Sequence, residues 1–178
     1  MIFRETSIPG AFVVELEKRH DFRGFFARAF CAQEFKTHGL EAAIAQVNYS
    51  RSDRRGTMRG IHYQVAPAVE HKFVRCIRGA IWDVIVDMRP DSPTFRKHFA
   101  LELSADNQLA IYIPALVAHG ALSLTDEAEM FYFSSGVYDA SSERGLRFDD
   151  PALGIDWPIP VGIATDKDRS WPLLSPAS

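Results

Sequence analysis

Short runs of β-branched and aromatic residues, each cut off by Gly, Pro, Asp or Ser, constrain this chain more than any other feature. They are Phe12–Leu16, Gly24–Phe30, Ile44–Ser50, Met58–Gln64, Lys72–Ile77, Ala80–Met88, His98–Leu103, Leu109–Ile113 and Glu129–Val137. Runs of this length and composition suit strands and are too short for amphipathic helices. One helical segment fits Gln33–His38, closed by Gly39. Asp91-Ser92-Pro93 and Asp149-Asp150-Pro151 mark turns. Many strands at regular spacing with little helix point to an all-β sandwich or barrel. No linker, repeat or low-complexity segment interrupts the 178 residues, so residues 1–178 read as a single domain. With 47% hydrophobic residues and thirteen Phe, a large core is within reach.

The composition also narrows the partners. A net charge of -3 leaves no electrostatic footprint for nucleic acid or an anionic membrane. No apolar run reaches the ~18 residues a membrane span needs. The start, Met1-Ile2-Phe3-Arg4-Glu5-Thr6, lacks an apolar signal core, so a soluble cytoplasmic protein is expected. Cys31 and Cys76 both sit among apolar residues and form no CxxC pair. They read as buried thiols in a reducing compartment.

Alternation within strands gives a first view of the interior. In Ala80–Met88, Trp82, Val84, Val86 and Met88 share one face, and Ile81, Asp83, Ile85 and Asp87 the other. Two carboxylates among isoleucines imply a partly wet face, such as a barrel mouth or a subunit contact. In Lys72–Ile77, Lys72 lies in line with Val74 and Cys76. A lysine on that face points inward, which suits a ligand-binding role.

The stretch Met58-Arg59-Gly60-Ile61-His62-Tyr63-Gln64 carries the most chemistry. Taken singly, its residues and their possible partners read as ordinary. His62 alone suits a hydrogen-bonded strand residue, Arg59 a surface ion pair, and Lys72 a solvated strand end. Tyr132 suits the core, with its hydroxyl on a backbone group, and His119 a turn. His62, His71 and His119 with Glu70 offer metal-ligand types, but no HxH pair occurs anywhere, so no metal is expected. Proton abstraction beside a ketone needs a base, an electrophile for the enolate oxygen and a donor on the opposite face. His62, Lys72 and Tyr132 have those chemical types, and Asp168 has the chemistry to orient the His62 ring. Spacing alone leaves their convergence open. Strict strand parity also sets Arg59 and His62 on opposite faces, unless Gly60 marks a bulge or strand edge.

A series of ordered motifs adds a resemblance. They are Asp21-Phe22-Arg23-Gly24-Phe25-Phe26, Gln46-Val47-Asn48-Tyr49-Ser50, Arg59-Gly60-Ile61-His62-Tyr63-Gln64, Lys72-Phe73-Val74-Arg75, Asp91-Ser92-Pro93-Thr94, Ala118-His119-Gly120, Glu143-Arg144-Gly145, Asp149-Asp150-Pro151 and Gly154-Ile155-Asp156-Trp157-Pro158. The chain resembles the dTDP-4-dehydrorhamnose 3,5-epimerases, sugar-nucleotide epimerases of the cupin (jelly-roll) class, almost end to end. The resemblance implies an all-β cupin jelly roll with one or two short helices. It implies C3 and/or C5 epimerisation of a nucleoside-diphosphate 4-keto-6-deoxyhexose, without cofactor or metal, by a homodimer. By position, His62 corresponds to the base paired with Asp168, Lys72 to the enolate stabiliser and Tyr132 to the proton donor. Arg23, Gln46, Asn48, Arg59, His119, Glu143 and Lys167 correspond to substrate or diphosphate contacts. Tyr138 corresponds to the aromatic that stacks on the nucleotide base.

Two positions depart from the family pattern. Arg28 stands where these epimerases typically carry a base-contacting Glu. Thymine N3–H donates and suits a carboxylate, whereas cytosine N3 accepts and suits an arginine. Arg28 therefore raises CDP as an alternative to dTDP, against a plain reading in which it faces solvent or the diphosphate. The residues around His119, Leu116-Val117-Ala118-His119-Gly120-Ala121, also differ from the Gly and Phe common in relatives, which bears on whether C3, C5 or both are inverted. A CDP- or GDP-linked epimerase, a non-catalytic sugar-nucleotide binder and a metal-dependent cupin stand as alternatives. The combination of His62, Lys72 and Tyr132 argues against a pure binder.

Overall fold

The computed structural model describes residues 1–175. Among the described residues, six strands form one antiparallel sheet. Their spatial order is β1 (Ile2–Glu5), β2 (Phe12–Glu15), β10 (Ala110–Ile113), β7 (Lys72–Arg78), β12 (Ala128–Ser134) and β5 (Gln46–Ser52). A second antiparallel sheet runs β13 (Glu143–Gly145), β6 (Met58–Gln64), β11 (Val117–Ser123), β8 (Ala80–Asp87) and β9 (His98–Ser104). A separate hairpin pairs β3 (Arg19–Asp21) with β4 (Gly24–Phe26), and two short helices, α1 (Ala32–Thr37) and α2 (Asp166–Ser170), complete the chain. The all-β architecture with short helices is the one expected. Among the described residues no helix is long and apolar enough to cross a membrane.

Strand alternation produces three apolar layers. Ile81 and Ile85 of β8 meet Val74 and Cys76 of β7, Ile111 and Ile113 of β10, and Met130 of β12 between the sheets. Val84 and Val86, one residue out of phase, face the opposite way and pack with Met58, Ile61, Ala118 and Leu122 under the C-terminal arm. That arm contributes Leu146, Phe148 and Leu153, with Trp157, Ile159 and Val161 at its margin. On the outside of the first sheet, Phe73 and Tyr112 pack with Phe35 and Leu40 from α1 and the turn after it. A period of two thus gives each sheet two apolar faces.

The inward face of β8 corrects one expectation. Asp83 and Asp87 are fully buried, not on a wet face. Asp87 is fully compensated, accepting from the Arg89 guanidinium and the Ser92 and Thr94 hydroxyls, whereas Asp83 pairs with His119 through Oδ2 alone and its Oδ1 has no hydrogen-bond partner among the described residues. A buried carboxylate is tolerated once its oxygens are hydrogen-bonded. Burial alone would raise the Asp87 pKa, but those donors together hold it well below the usual carboxylate range.

Other differences are local. The run Gly24–Phe30 is a strand only as far as Phe26, because Phe30 turns inward onto Phe35 and Phe133. The run Glu129–Val137 likewise ends at Ser134. The largest omission is β11: His119 lies in a central strand, not a turn. Gly120 is there for close approach, since a Cβ would come within 2.8 Å of Ile61 Cγ1. Cys76 is buried, which pushes its thiol up to about 11. Cys31 is only half-buried, at the N-cap of α1, rather than in the core.

Candidate active site

A cleft of about 560 Å³ opens between the two sheets, lined by Arg59, His62, Lys72, His119, Tyr132, Lys167 and Asp168 among others. A second lobe of about 410 Å³ shares His62, Lys72 and Tyr132 and adds Gln46, Asn48, Glu70, Tyr138 and Glu143. Residues distant in sequence therefore meet in one hollow.

Gly60 explains how β6 supplies both Arg59 and His62. His119 pairs with His62 and Ala121 with Arg59, so two steps on β11 oppose three on β6. The extra residue is a bulge at Gly60, whose φ of 94° lies in the left-handed region. A Cβ there would meet His119 O at 2.6 Å. The bulge sends Ile61 into the outer apolar layer and turns both Arg59 and His62 to the cleft, which resolves the parity conflict.

His62 stands between two carboxylates. Its Nε2 is 2.6 Å from Asp168 Oδ1, and its Nδ1 is 3.4 Å from Glu143 Oε1. Asp168 is nearly fully buried, at the start of α2, where Thr165 caps the helix by accepting from Asp168 N at 3.1 Å. Burial alone would raise the Asp168 pKa, but the His62 ring and Thr165 outweigh it and keep the carboxylate ionised. Glu143 behaves alike: burial opposes its charge, while Lys167 and the Tyr138 hydroxyl, 2.8 Å away, lower its pKa. With Nε2 held by Asp168, Nδ1 is the ring nitrogen on the Glu143 side.

The opposite wall belongs to the first sheet. Lys72 Nζ lies 3.2 Å from Glu70 Oε1, with both side chains largely buried. Tyr132 packs its ring on the inter-sheet core. Burial first, and the nearby Glu70 charge second, raise its pKa, so the phenol keeps its proton. On the other wall, Arg59 donates to Ser52 Oγ at 3.0 Å and to Arg51 O at 2.6 Å, and His119 Nε2 sits 2.8 Å from Asp83 Oδ2. Gln46 Oε1 accepts from Tyr138 N at 3.0 Å at the rim.

The comparisons with known proteins agree across the whole chain. Residues 5–176 match the family described as dTDP-4-dehydrorhamnose 3,5-epimerase. The chain belongs to this epimerase family. The enzyme of that name from Sinorhizobium fredii is 38% identical over 175 residues, covering 98% of this chain and 90% of the relative. The crystal structure of the Elizabethkingia anophelis enzyme superposes with a TM-score of 0.94 at 35% identity, over 97% of this chain and 96% of that one. The Bacillus anthracis enzyme, solved with TDP and PPi bound, gives 0.92 at 37% identity, over 97% and 99%. The protein is thus an epimerase of the cupin fold, as the motifs implied.

Of the residues singled out in sequence, this epimerase gathers His62, Lys72, Tyr132, Asp168, Arg59, His119, Lys167, Gln46, Asn48, Tyr138 and Glu143 around the two lobes. It does not bring Arg23 or Arg28 there. Arg23 is exposed at the tip of the β3–β4 hairpin, 2.7 Å from Asp21, and Arg28 lies 3.6 Å from Glu34. Among the described residues, no three His, Cys, Asp or Glu side chains stand together as a metal-ligand set. Three contributors escaped sequence reading: Asp83 behind His119, Trp171 beside the His62 ring, and Glu70 as the partner of Lys72. The cap pattern Thr165-Asp166-Lys167-Asp168 was the available signal for α2.

Proposed function

We propose that this epimerase inverts C3 and C5 of a dTDP-4-keto-6-deoxyhexose without metal or cofactor. The observation that carries the reading is that His62 and Tyr132 come from opposing sheets and line one cleft, with Lys72 beside Tyr132 on the first sheet. A sugar ring held there presents one face to each. His62 Nδ1 takes the proton from a carbon beside the ketone, and the C–H electron pair becomes the enolate C=C bond. Charge moves to O4, where the Lys72 ammonium stabilises it. Tyr132 then gives its proton to the opposite face of the same carbon, and the stereocentre inverts. The resulting imidazolium and phenolate return to their resting forms by exchange with water.

The remaining contacts hold the nucleotide handle. Arg59, His119 and Lys167 supply cationic or hydrogen-bonding groups for the diphosphate and sugar, with Gln46, Asn48 and Glu143 completing the polar lining. Tyr138, half exposed at the rim, is the platform for the base. Binding at these remote groups positions the reacting carbon. The TDP bound in the Bacillus anthracis relative supports dTDP as the handle.

The active unit in this reading is a homodimer. Phe22 is 96% exposed and Phe26 68% exposed on the β3–β4 hairpin, and Val47 and Tyr49 face outward from edge strand β5. Apolar surface of this kind suits burial by a second copy. Arg23 and Arg28 flank it, so in the dimer they serve the partner's nucleotide rather than their own chain's. Incubation with dTDP- and CDP-linked 4-keto-6-deoxyglucose in deuterated water tests the reading. Deuterium is expected at C3 and C5 of the dTDP sugar; no exchange with either sugar would sink it.

A further inference from the structure

Glu70 is a charged group aimed into the cleft with no part in the proton transfer just described. It precedes β7 and lines the second lobe beside Lys72, Tyr132 and His62. Its Oε1 lies 3.2 Å from Lys72 Nζ, and its side chain is only 10% exposed. Its Oε2 accepts from the Ser134 hydroxyl. Ser134 is itself buried and sits directly across from Lys72 in the β12–β7 pairing. Gly136 lets the following turn close over this contact, since a Cβ there would meet Val69 O at 2.9 Å. Glu70 is thus held by Ser134 through one oxygen while the other meets the lysine.

We propose that Glu70 is a positioning residue for the epimerisation: its carboxylate aims the Lys72 ammonium at the oxygen that becomes the enolate. This rests on the epimerase reading of the cleft. A lysine head is a compact charge on a flexible four-carbon stem, and an unheld one spreads over many rotamers. Stabilising a developing oxyanion requires the charge to be in place before it develops. Asp168 orients the His62 ring, and Glu70 does the equivalent for Lys72 on the facing sheet.

The Glu70 charge also bears on the proton donor. The groups sharing the two lobes with Tyr132 are Glu70 from the β6–β7 connection, Lys72 from β7, Asn48 from β5, Arg59 and His62 from β6, His119 from β11, Tyr138 and Glu143 from the β12–β13 region, and Lys167 and Asp168 from α2. Burial is the main cause that keeps the phenol protonated; the Glu70 charge adds to it and Arg59 acts in the opposite direction. Removing the Glu70 charge therefore brings phenol ionisation to lower pH.

Kinetics of wild type, Glu70→Ala and Glu70→Gln on dTDP-4-keto-6-deoxyglucose, with dTDP titrations and thermal melts, test the proposal. In Glu70→Ala, kcat is expected to fall by up to about 10²-fold, the scale of a misplaced catalytic group. KM and dTDP affinity are expected to stay within about threefold, since the loss is confined to the transition state. Glu70→Gln restores most of kcat, because the amide oxygen still accepts from Lys72. Both variants shift the alkaline limb of the kcat profile to lower pH. Unchanged kcat in Glu70→Ala overturns the proposal. So does a joint fall in kcat, dTDP affinity and melting temperature that Gln does not restore, which marks a merely structural pair. Wild type that exchanges no deuterium with any 4-keto sugar nucleotide overturns the epimerase reading as well; active wild type with indifferent Glu70 variants overturns only the role of Glu70.

Discussion

Lys72 and Tyr132 stand on adjacent, hydrogen-bonded strands of one sheet, whereas the His62–Asp168 pair joins a strand to a helix 106 residues further along the chain. The register of β7 and β12 places the first two, so strand pairing alone sets their geometry. The second pair depends on the C-terminal arm docking over the outer layer. Thr57 bridges to Ile163, Met58 N donates to Ile163 O at 2.7 Å, and Trp171 seats against Gly145. One wall is therefore assembled with the sheet, and the other is completed only when the arm is in place.

The largest effect expected is at the base. His62→Ala should lower deuterium exchange by about 10³-fold or more while dTDP still binds. An active His62→Ala would move the base elsewhere and dissolve the contrast between the walls. Next comes the arm itself. A Cβ at Gly145 would lie 2.1 Å from the Trp171 indole. Gly145→Ala should displace Trp171 and with it α2, lowering kcat by about 10²-fold. If Gly145→Ala turns over at the wild-type rate, the His62–Asp168 geometry does not depend on arm seating.

A smaller and more selective effect is expected on the facing wall. Tyr132→Phe should retain much of the exchange, because His62 still removes and returns a proton on its own face, but lose inversion by about 10²-fold. Product stereochemistry set against deuterium content measures the split; equal loss of both would mean that Tyr132 is not the donor. In the proposed mechanism the protonated phenol is the working form, and its pKa is raised by burial and Glu70. Wild-type inversion should therefore persist above the ordinary tyrosine range of about 10 before it fades. The smallest effect on catalysis is expected at Asp87, buried away from both walls. Its folded pKa is depressed, so its stabilisation is complete above the unfolded value of about 3.9 and is lost as pH falls below it. Asp87→Asn should lower the melting temperature at neutral pH and weaken its acid dependence, with kcat unchanged. A melting temperature equal to wild type would remove Asp87 from the account.

Strand existence was legible in most of the sheet because alternation and turn residues coincide there, as in Ala80–Asp87 and Lys72–Arg78. Val117–Ser123 escaped because it is buried on both faces, and Gly120 with small neighbours reads locally as a turn. The motif residues of the site were legible as chemical types. Glu70 and Asp83 were not, since a carboxylate beside a lysine or among isoleucines has no sequence signature until its partner is seen.

By itself, the sequence determined the all-β class, the inward direction of Lys72, the need for a bulge at Gly60 and the epimerase family. Each follows from local rules: period-two burial, the freedom of glycine at positive φ, and ordered motifs. Tertiary structure decided which carboxylate serves which group, that Asp83 and Asp87 are buried, and that Arg23 and Arg28 stand away from their own chain's cleft. Those outcomes depend on distances between segments up to 106 residues apart, which sheet packing and arm docking fix and no local pattern encodes.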